Sequence, residues 1–352
     1  MAVVDVPVME RNLARMAALA AGAGIRLRPH AKTHKMPAVA RRQLAHGATG
    51  LTVATLREAE VFVDAGVDDL LLAHPPVGSA KLRRLSALAG RLRRCAVALD
   101  SVELATALPA SVDVYWEVDT GLHRIGTAPG DATVAQVQAL IEAIGSARFR
   151  GLITHGGQSY AAATPDARAA AAAEESNGLL QTAALLQVQG IAPSELSIGA
   201  TPTAEFAGRF QHGATRITEM RPGTYVFGDA NQVTLRSQRL DDCALAVVAT
   251  VVSRPADDRA VLDAGSKALS ADLRVPGLVG YGIVLGSPDL TVARLSEEHA
   301  LVTGVEAGRL RPGDRLVIVP AHVCTTINLH PAILFIDEAG ATWQPVEARG
   351  WS

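Results

Sequence analysis

The chain has 352 residues, 49% hydrophobic and 19% charged, and 33 Lys and Arg against 35 Asp and Glu leave a formal charge of −2. Such apolar content excludes intrinsic disorder, and a near-zero charge without runs of Lys or Arg excludes an electrostatic grip on nucleic acid or a membrane surface. At roughly 100–200 residues per domain, the length predicts two domains built around a small-molecule site.

In chain order, the start Met1-Ala2-Val3-Val4-Asp5 lacks the basic segment of a signal peptide, and no apolar stretch reaches the ~18–20 residues a spanning helix needs, so a cytoplasmic protein is expected. Between residues 8 and 230, short β-rich runs alternate with Ala/Leu-rich segments of helical period. The runs are 25–29, 51–54, 70–74, 96–100, 112–119, 151–155, 196–199 and 217–221. Helices are expected over 37–46, 56–65 and 167–189, ending at Gly47, Gly66 and Gly190. Eight strand–helix units predict an α/β fold of (β/α)8 TIM-barrel type, with a doubly wound sheet as the alternative. After residue 243, strands over 243–252, 260–263, 301–305 and 315–319 lie between Gly, Pro and Asp turns, which predicts a separate mainly-β domain.

Barrel function gathers at the carboxyl ends of the strands, and polar residues follow every run: His30 and Lys32, Thr55, His74, Asp100, Asp119 and Arg124, His155, Thr201 and Arg221. The densest cluster is Arg28-Pro29-His30-Ala31-Lys32-Thr33-His34-Lys35. Cations at Arg28, Lys35 and any protonated His30 or His34 would favour a neutral Lys32 amine, which carbonyl attack and Schiff-base formation require. Gly199-Ala200-Thr201-Pro202-Thr203 and Pro222-Gly223-Thr224-Tyr225 offer backbone N–H groups and hydroxyls after the seventh and eighth strands, where barrels often hold phosphate. A lysine opposite a phosphate cradle points to pyridoxal 5′-phosphate (PLP).

The three cysteines, Cys95, Cys243 and Cys324, are too few and too widely spaced for a disulfide framework. In an extended Pro320-Ala321-His322-Val323-Cys324, period-two alternation would put His322 and Cys324 on one face, able to share a divalent metal while leaving positions open for water or substrate.

With these residues assembled, the chain resembles the PLP-dependent fold type III family of D-threonine aldolase and D-serine dehydratase, which has an alanine-racemase-like barrel. The motifs follow in family order: residues 28–35, Asp119-Thr120-Gly121-Leu122-His123-Arg124-Ile125-Gly126, the loop from His155 to Tyr160, 197–203, 219–225, Asp263-Ala264-Gly265-Ser266-Lys267 and His322-Val323-Cys324. The resemblance implies Lys32 as the Schiff-base lysine, Tyr160 near the cofactor, Arg124 beside its ring and Arg221 facing the pyridine nitrogen. It implies phosphate contacts from Gly199, Thr201, Gly223 and Thr224, and a metal on His322 and Cys324 in a dehydratase-like β domain over 231–352 together with residues 1–7. Zinc is usual in the dehydratases, whereas aldolases that use manganese can carry Asp at the Cys324 position, and a thiolate favours the softer ion.

The implied activity is a lyase acting on 3-hydroxy D-amino acids, with Lys32, His322, Cys324 and Tyr160 at the chemistry. It proceeds either by dehydration to a 2-oxo acid and ammonia, or by retro-aldol cleavage to glycine and an aldehyde. Cys324 leans the reading toward elimination. An amino-acid racemase, a non-catalytic PLP carrier and a barrel-based metal hydrolase are the alternatives, and relatives of this fold type imply a homodimer.

Overall fold

The computed structural model describes residues 1–272 and 274–350. The chain divides into two units, one of Arg15–Lys32 and Pro37–Gly223, the other of Met1–Ala14, Thr33–Met36 and Thr224–Arg349.

In the first unit, eight short strands are all parallel: Arg26–Leu27, Leu51–Val53, Asp69–Leu72, Arg94–Leu99, Asp113–Glu117, Phe149–Ile153, Glu195–Ile198 and Glu219–Met220. Each pairs with its sequence neighbour from the second to the eighth, and the eighth pairs with the first through Glu219–Arg26 and Met220–Leu27. Closure between the first and second strands comes from Thr49 N–H to Leu27 O, Thr52 N–H to Pro29 O and a parallel bridge joining His30 to Thr52. The sheet therefore closes into the expected barrel, and a doubly wound sheet, which would be open, is excluded.

The strands read as continuous apolar runs because both faces are covered: Leu70, Leu71 and Leu72 are all buried, and Leu71, Ala96, Ala98, Tyr115 and Ile153 cluster in the core. The outer helices are set by caps and apolar spacing. In Leu56–Asp64, the Thr55 side chain accepts from Glu58 N–H, and Leu56, Ala59, Phe62 and Val63 form the buried face. Gly66 then adopts φ +90°, a conformation glycine reaches without steric cost, and ends the helix.

The barrel interior also holds charge. Arg28, just after the first strand, is fully buried, with Nε 2.9 Å from Glu219 Oε2 and Nη1 2.5 Å from Asp69 Oδ1. This overturns the reading of Arg28 as part of a cationic loop around Lys32. Two buried carboxylates match its charge and raise its pKa, outweighing the burial that opposes it.

The second unit is a nine-stranded, mainly antiparallel sheet. Its strands include Leu245–Ala256, Arg259–Leu262, Ala300–Thr303 and Arg315–Pro320, at the four places the sequence pattern marks. The N-terminal strand Ala2–Asp5 enters this sheet, antiparallel to Leu245–Ala256 and parallel to Ala332–Asp337. Among the described residues, no helix is long and apolar enough to cross a membrane.

Candidate active site

A cavity at the carboxyl ends of the barrel strands is lined by His30, Lys32, Glu117, Arg124, His155 and Arg221, with Ala73 and Ile153 as apolar walls. The residues come from six places in the sequence, and the parallel register of the strands brings them together. Lys32 follows the first strand, in the short turn Ala31–Thr33. The imidazoles near it in sequence take backbone N–H groups onto Nδ1. His30 Nδ1 accepts from Lys32 N–H at 3.4 Å, and buried His34 accepts at Nδ1 from Met36 N–H at 3.1 Å. A nitrogen that accepts carries no proton, so neither ring is an imidazolium in this arrangement. The cations facing the cavity are Arg124 and Arg221 instead.

Arg221 is buried, and its guanidinium donates from Nη1 to Ser197 Oγ at 2.7 Å and from Nη2 to Thr154 O at 2.6 Å. Ser197 Oγ donates on to Glu219 Oε1 at 2.7 Å, the carboxylate that also pairs with Arg28. A chain of hydrogen bonds thus runs from the barrel interior to the cavity and fixes the orientation of Arg221.

His155 and Glu117 belong to the cavity; His155 is among the polar residues expected at the strand ends, whereas sequence reasoning missed Glu117. The His155 ring Nδ1 lies 2.7 Å from Gly199 O. Burial, then the charges of Lys32, Arg124 and Arg221, hold its pKa well below the ordinary imidazole value. A neutral ring beside a carbonyl, which can only accept, carries its proton on Nδ1 and leaves Nε2 as an acceptor. Burial pushes the Glu117 carboxyl up to about 7, against the pull of Arg221 and Arg124.

The other expected residues divide. Tyr160 lies half-buried in the turn Gly157–Ala161. Thr55 caps a helix, Asp100 accepts from Gly126 N–H at 2.8 Å, and Asp119 accepts from the N–H groups of Gly121 and His123; these three shape loops. His74 is exposed. In the two candidate phosphate loops, Thr201 is buried, and among the described residues the N–H groups of Ala200 and Gly223 reach no acceptor. The Gly199 N–H does not belong to that cradle as expected, because it donates to Glu175 Oε1 at 2.9 Å. What Gly199 contributes is space: a Cβ there would stand 3.2 Å from Arg221 Nη2. An amine, two guanidiniums and unpartnered N–H donors on adjacent barrel loops fit a phosphorylated aldehyde such as PLP.

In the second unit, His322 and Cys324 come together as expected, but not on an extended strand. His322 is the N-cap residue of the helix Val323–Leu329, and Cys324 lies in its first turn. The helix begins there because Asp229, fully buried, accepts the Val323 N–H at 3.1 Å. His322 Nδ1 lies 2.9 Å from Asp272 Oδ2, which leaves Nε2 for a metal. Burial opposes a charge on His322, but Cys324, Asp229 and Asp272 outweigh it and lift its pKa to about 10. Cys324 Sγ lies 3.2 Å from Thr33 Oγ1 and 3.7 Å from Thr224 Oγ1, so the Thr224 hydroxyl faces the cysteine. Among the described residues, no three His, Cys, Asp or Glu side chains form a metal cage. An imidazole and a thiol fit an ion that keeps open positions for water or substrate better than a closed structural site.

Two family models match the chain: "Alanine racemase, N-terminal domain" over residues 4–231 and "Putative serine dehydratase domain" over residues 244–336. D-threo-3-hydroxyaspartate dehydratase from Delftia sp. is 37% identical across 99% of this chain and 97% of its own length. D-threonine aldolase from Arthrobacter sp. is 34% identical across 99% of this chain and 92% of its own. The crystal structure of D-threonine aldolase from Filomicrobium marinum superposes with a TM-score of 0.87 at 34% identity, covering 99% of this chain and 95% of that one. D-threo-3-hydroxyaspartate dehydratase has also been solved as a histidine variant and as a cysteine variant two residues further along, the latter in a metal-free form.

Proposed function

Because the chain belongs to the D-threonine aldolase and D-serine dehydratase family of PLP fold type III lyases, we propose that it is a PLP- and divalent-metal-dependent lyase of 3-hydroxy D-amino acids. The observation that carries this reading is the Lys32 amine in a cavity with Arg124, Arg221, Glu117 and neutral His155. When bound, the cofactor supplies an electron sink for charge developing at the substrate Cα, and the metal a Lewis acid for its β-hydroxyl.

The chain's own groups have separate tasks. Lys32 Nζ is the covalent attachment point and, once released, the base placed to take the α-proton. Arg221, oriented by Ser197 and Thr154 O, and Arg124 hold positive charge against the cofactor ring and its substituents. His155 Nε2 offers an acceptor fixed in direction by Gly199 O. The N–H groups of Ala200 and Gly223 and the Thr201 hydroxyl hold the phosphate. His322 and Cys324 hold the ion, zinc rather than manganese by the softness of the thiolate, and Asp272 fixes the imidazole tautomer.

Elimination to a 2-oxo acid and ammonia is the first reading, favoured by Cys324 and by the 37% identity to a dehydratase. Retro-aldol cleavage is the second, favoured by the 34% identity to an aldolase. The test is to purify the protein with PLP, reduce it with borohydride, and map the label. We expect the label on Lys32, and lyase products from D-serine, D-threonine or D-threo-3-hydroxyaspartate that disappear with a chelator. Pyruvate or another 2-oxo acid means elimination, and glycine means aldol cleavage. A Cys324→Ala variant should lose its metal by elemental analysis and keep the Lys32 label. An unlabelled Lys32 overturns the proposal.

A further inference from the structure

Glu175 sits in the middle of the long helix Pro165–Val188, fully buried, with no part in the chemistry described above. A buried carboxylate is costly unless its oxygens are satisfied. Here Oε1 accepts from Gly156 N–H at 2.8 Å and Gly199 N–H at 2.9 Å, and Oε2 accepts from Thr203 Oγ1 at 3.0 Å. These donors lie in the loops after the sixth and seventh barrel strands. Gly156 is cut to fit, since a Cβ there would stand 2.5 Å from Glu175 Oε2.

Two helical turns earlier, on the same face, Arg168 Nη1 donates to Pro202 O at 2.8 Å and pairs with Glu205 at 2.6 Å. One helix therefore grips the loop at Gly199, Pro202, Thr203 and Glu205, and leaves Ala200 and Thr201 between the grips. Between the grips, Ala200 keeps an N–H that reaches no acceptor among the described residues, and Thr201 carries a hydroxyl.

We propose that Glu175 is a positioning residue for cofactor phosphate: by taking up the Gly156 and Gly199 N–H groups and the Thr203 hydroxyl, it holds the 199–203 loop in its phosphate-binding shape. The inference rests on the PLP reading above. It assigns the Gly199 N–H to the carboxylate behind the loop and leaves the phosphate to Ala200, Thr201 and Gly223.

The test compares PLP with pyridoxal, which has the same aldehyde and ring but no phosphate, by absorbance titration of the apoprotein. Glu175→Leu should weaken PLP binding about tenfold or more while pyridoxal binding stays within about twofold. Glu175→Gln, whose amide oxygen still accepts both N–H groups, should stay within about threefold for PLP. Equal losses for PLP and pyridoxal would mark a merely structural residue and overturn the proposal, as would an unchanged Glu175→Leu variant. If Glu175→Leu does not fold, Thr203→Val removes one grip and should show a smaller, phosphate-selective loss; no selectivity there overturns the proposal. Wild-type protein that takes up no PLP overturns the cofactor reading itself, whereas wild type that binds beside an indifferent Glu175→Leu overturns this inference alone.

Discussion

Glu117 is the residue whose protonation most directly couples the cavity to pH. Its carboxyl titrates at about 7 in the fold and near 4.5 when free, because burial outweighs the attraction of Arg221 and Arg124. Between those values the folded chain binds more protons at this position than the unfolded chain, so this residue's contribution to stability declines as pH rises from 4.5 to 7. Glu117→Gln, which mimics the neutral form, should melt close to wild type at pH 5 and a few degrees higher at pH 8, the full linkage being of order 3–4 kcal/mol. Melting curves of the two apoproteins at both pH values check this, and a difference that does not grow with pH refutes it. At this scale the sequence was only partly legible. Lys32 stands in a dense motif and Arg124 in another, so both could be found. Glu117 closes an apolar strand, Tyr115-Trp116-Glu117, and looks like any residue where a strand meets water. Glu175 looks like a surface position in a polar stretch of helix, Ala173-Glu174-Glu175-Ser176. Only the fold reveals that its side chain turns inward onto two loops.

The barrel strands are short, and their closure depends on more than backbone pairing. Arg28, directly after the first strand, reaches Asp69 on the third and Glu219 on the eighth, tying the two sides of the seam. Removing one partner of such a buried cluster leaves charge without compensation, at a cost of about 3–5 kcal/mol. Arg28→Met should therefore lower the unfolding free energy from denaturant titration by that amount, and a loss below about 1 kcal/mol would show that the seam holds without it. All eight barrel strands were readable as apolar runs because parallel strands are buried on both faces. The capped helices were readable from Thr55 and Gly66. The segment at His322 was not: an N-cap side chain and an extended residue look alike in sequence, and what starts this helix is Asp229, far away in the chain. Arg28 was misread for a similar reason, since its two carboxylates come from residues 69 and 219.

On the scale of the whole chain, the N-terminal strand is an interior member of the nine-stranded sheet. It contributes Ala2, Val3 and Val4 to pairings with Leu245–Ala256 on one side, and Val3, Val4 and Asp5 to Ala332–Asp337 on the other. A chain starting at residue 8 would leave both neighbours with unpaired backbone edges, a template for aggregation. Such a truncation should melt more than 10 °C lower or fail to stay soluble, as thermal scans and soluble yield would show; an unchanged melting temperature would refute the reading. The grouping of residues 1–7 with the β-rich half rested on the family resemblance, because a single four-residue apolar run does not say which sheet it joins.

That strand also sets a timetable for the ribosome. Val3 is translated 331 residues ahead of its partner Leu334. At roughly 5–20 residues per second, the newborn chain waits on the order of tens of seconds with its leading segment unmatched. The barrel half can collapse meanwhile, but the β-rich half cannot be completed until Leu334 has been made. A circular permutant that places the first seven residues behind the last strand would remove that delay.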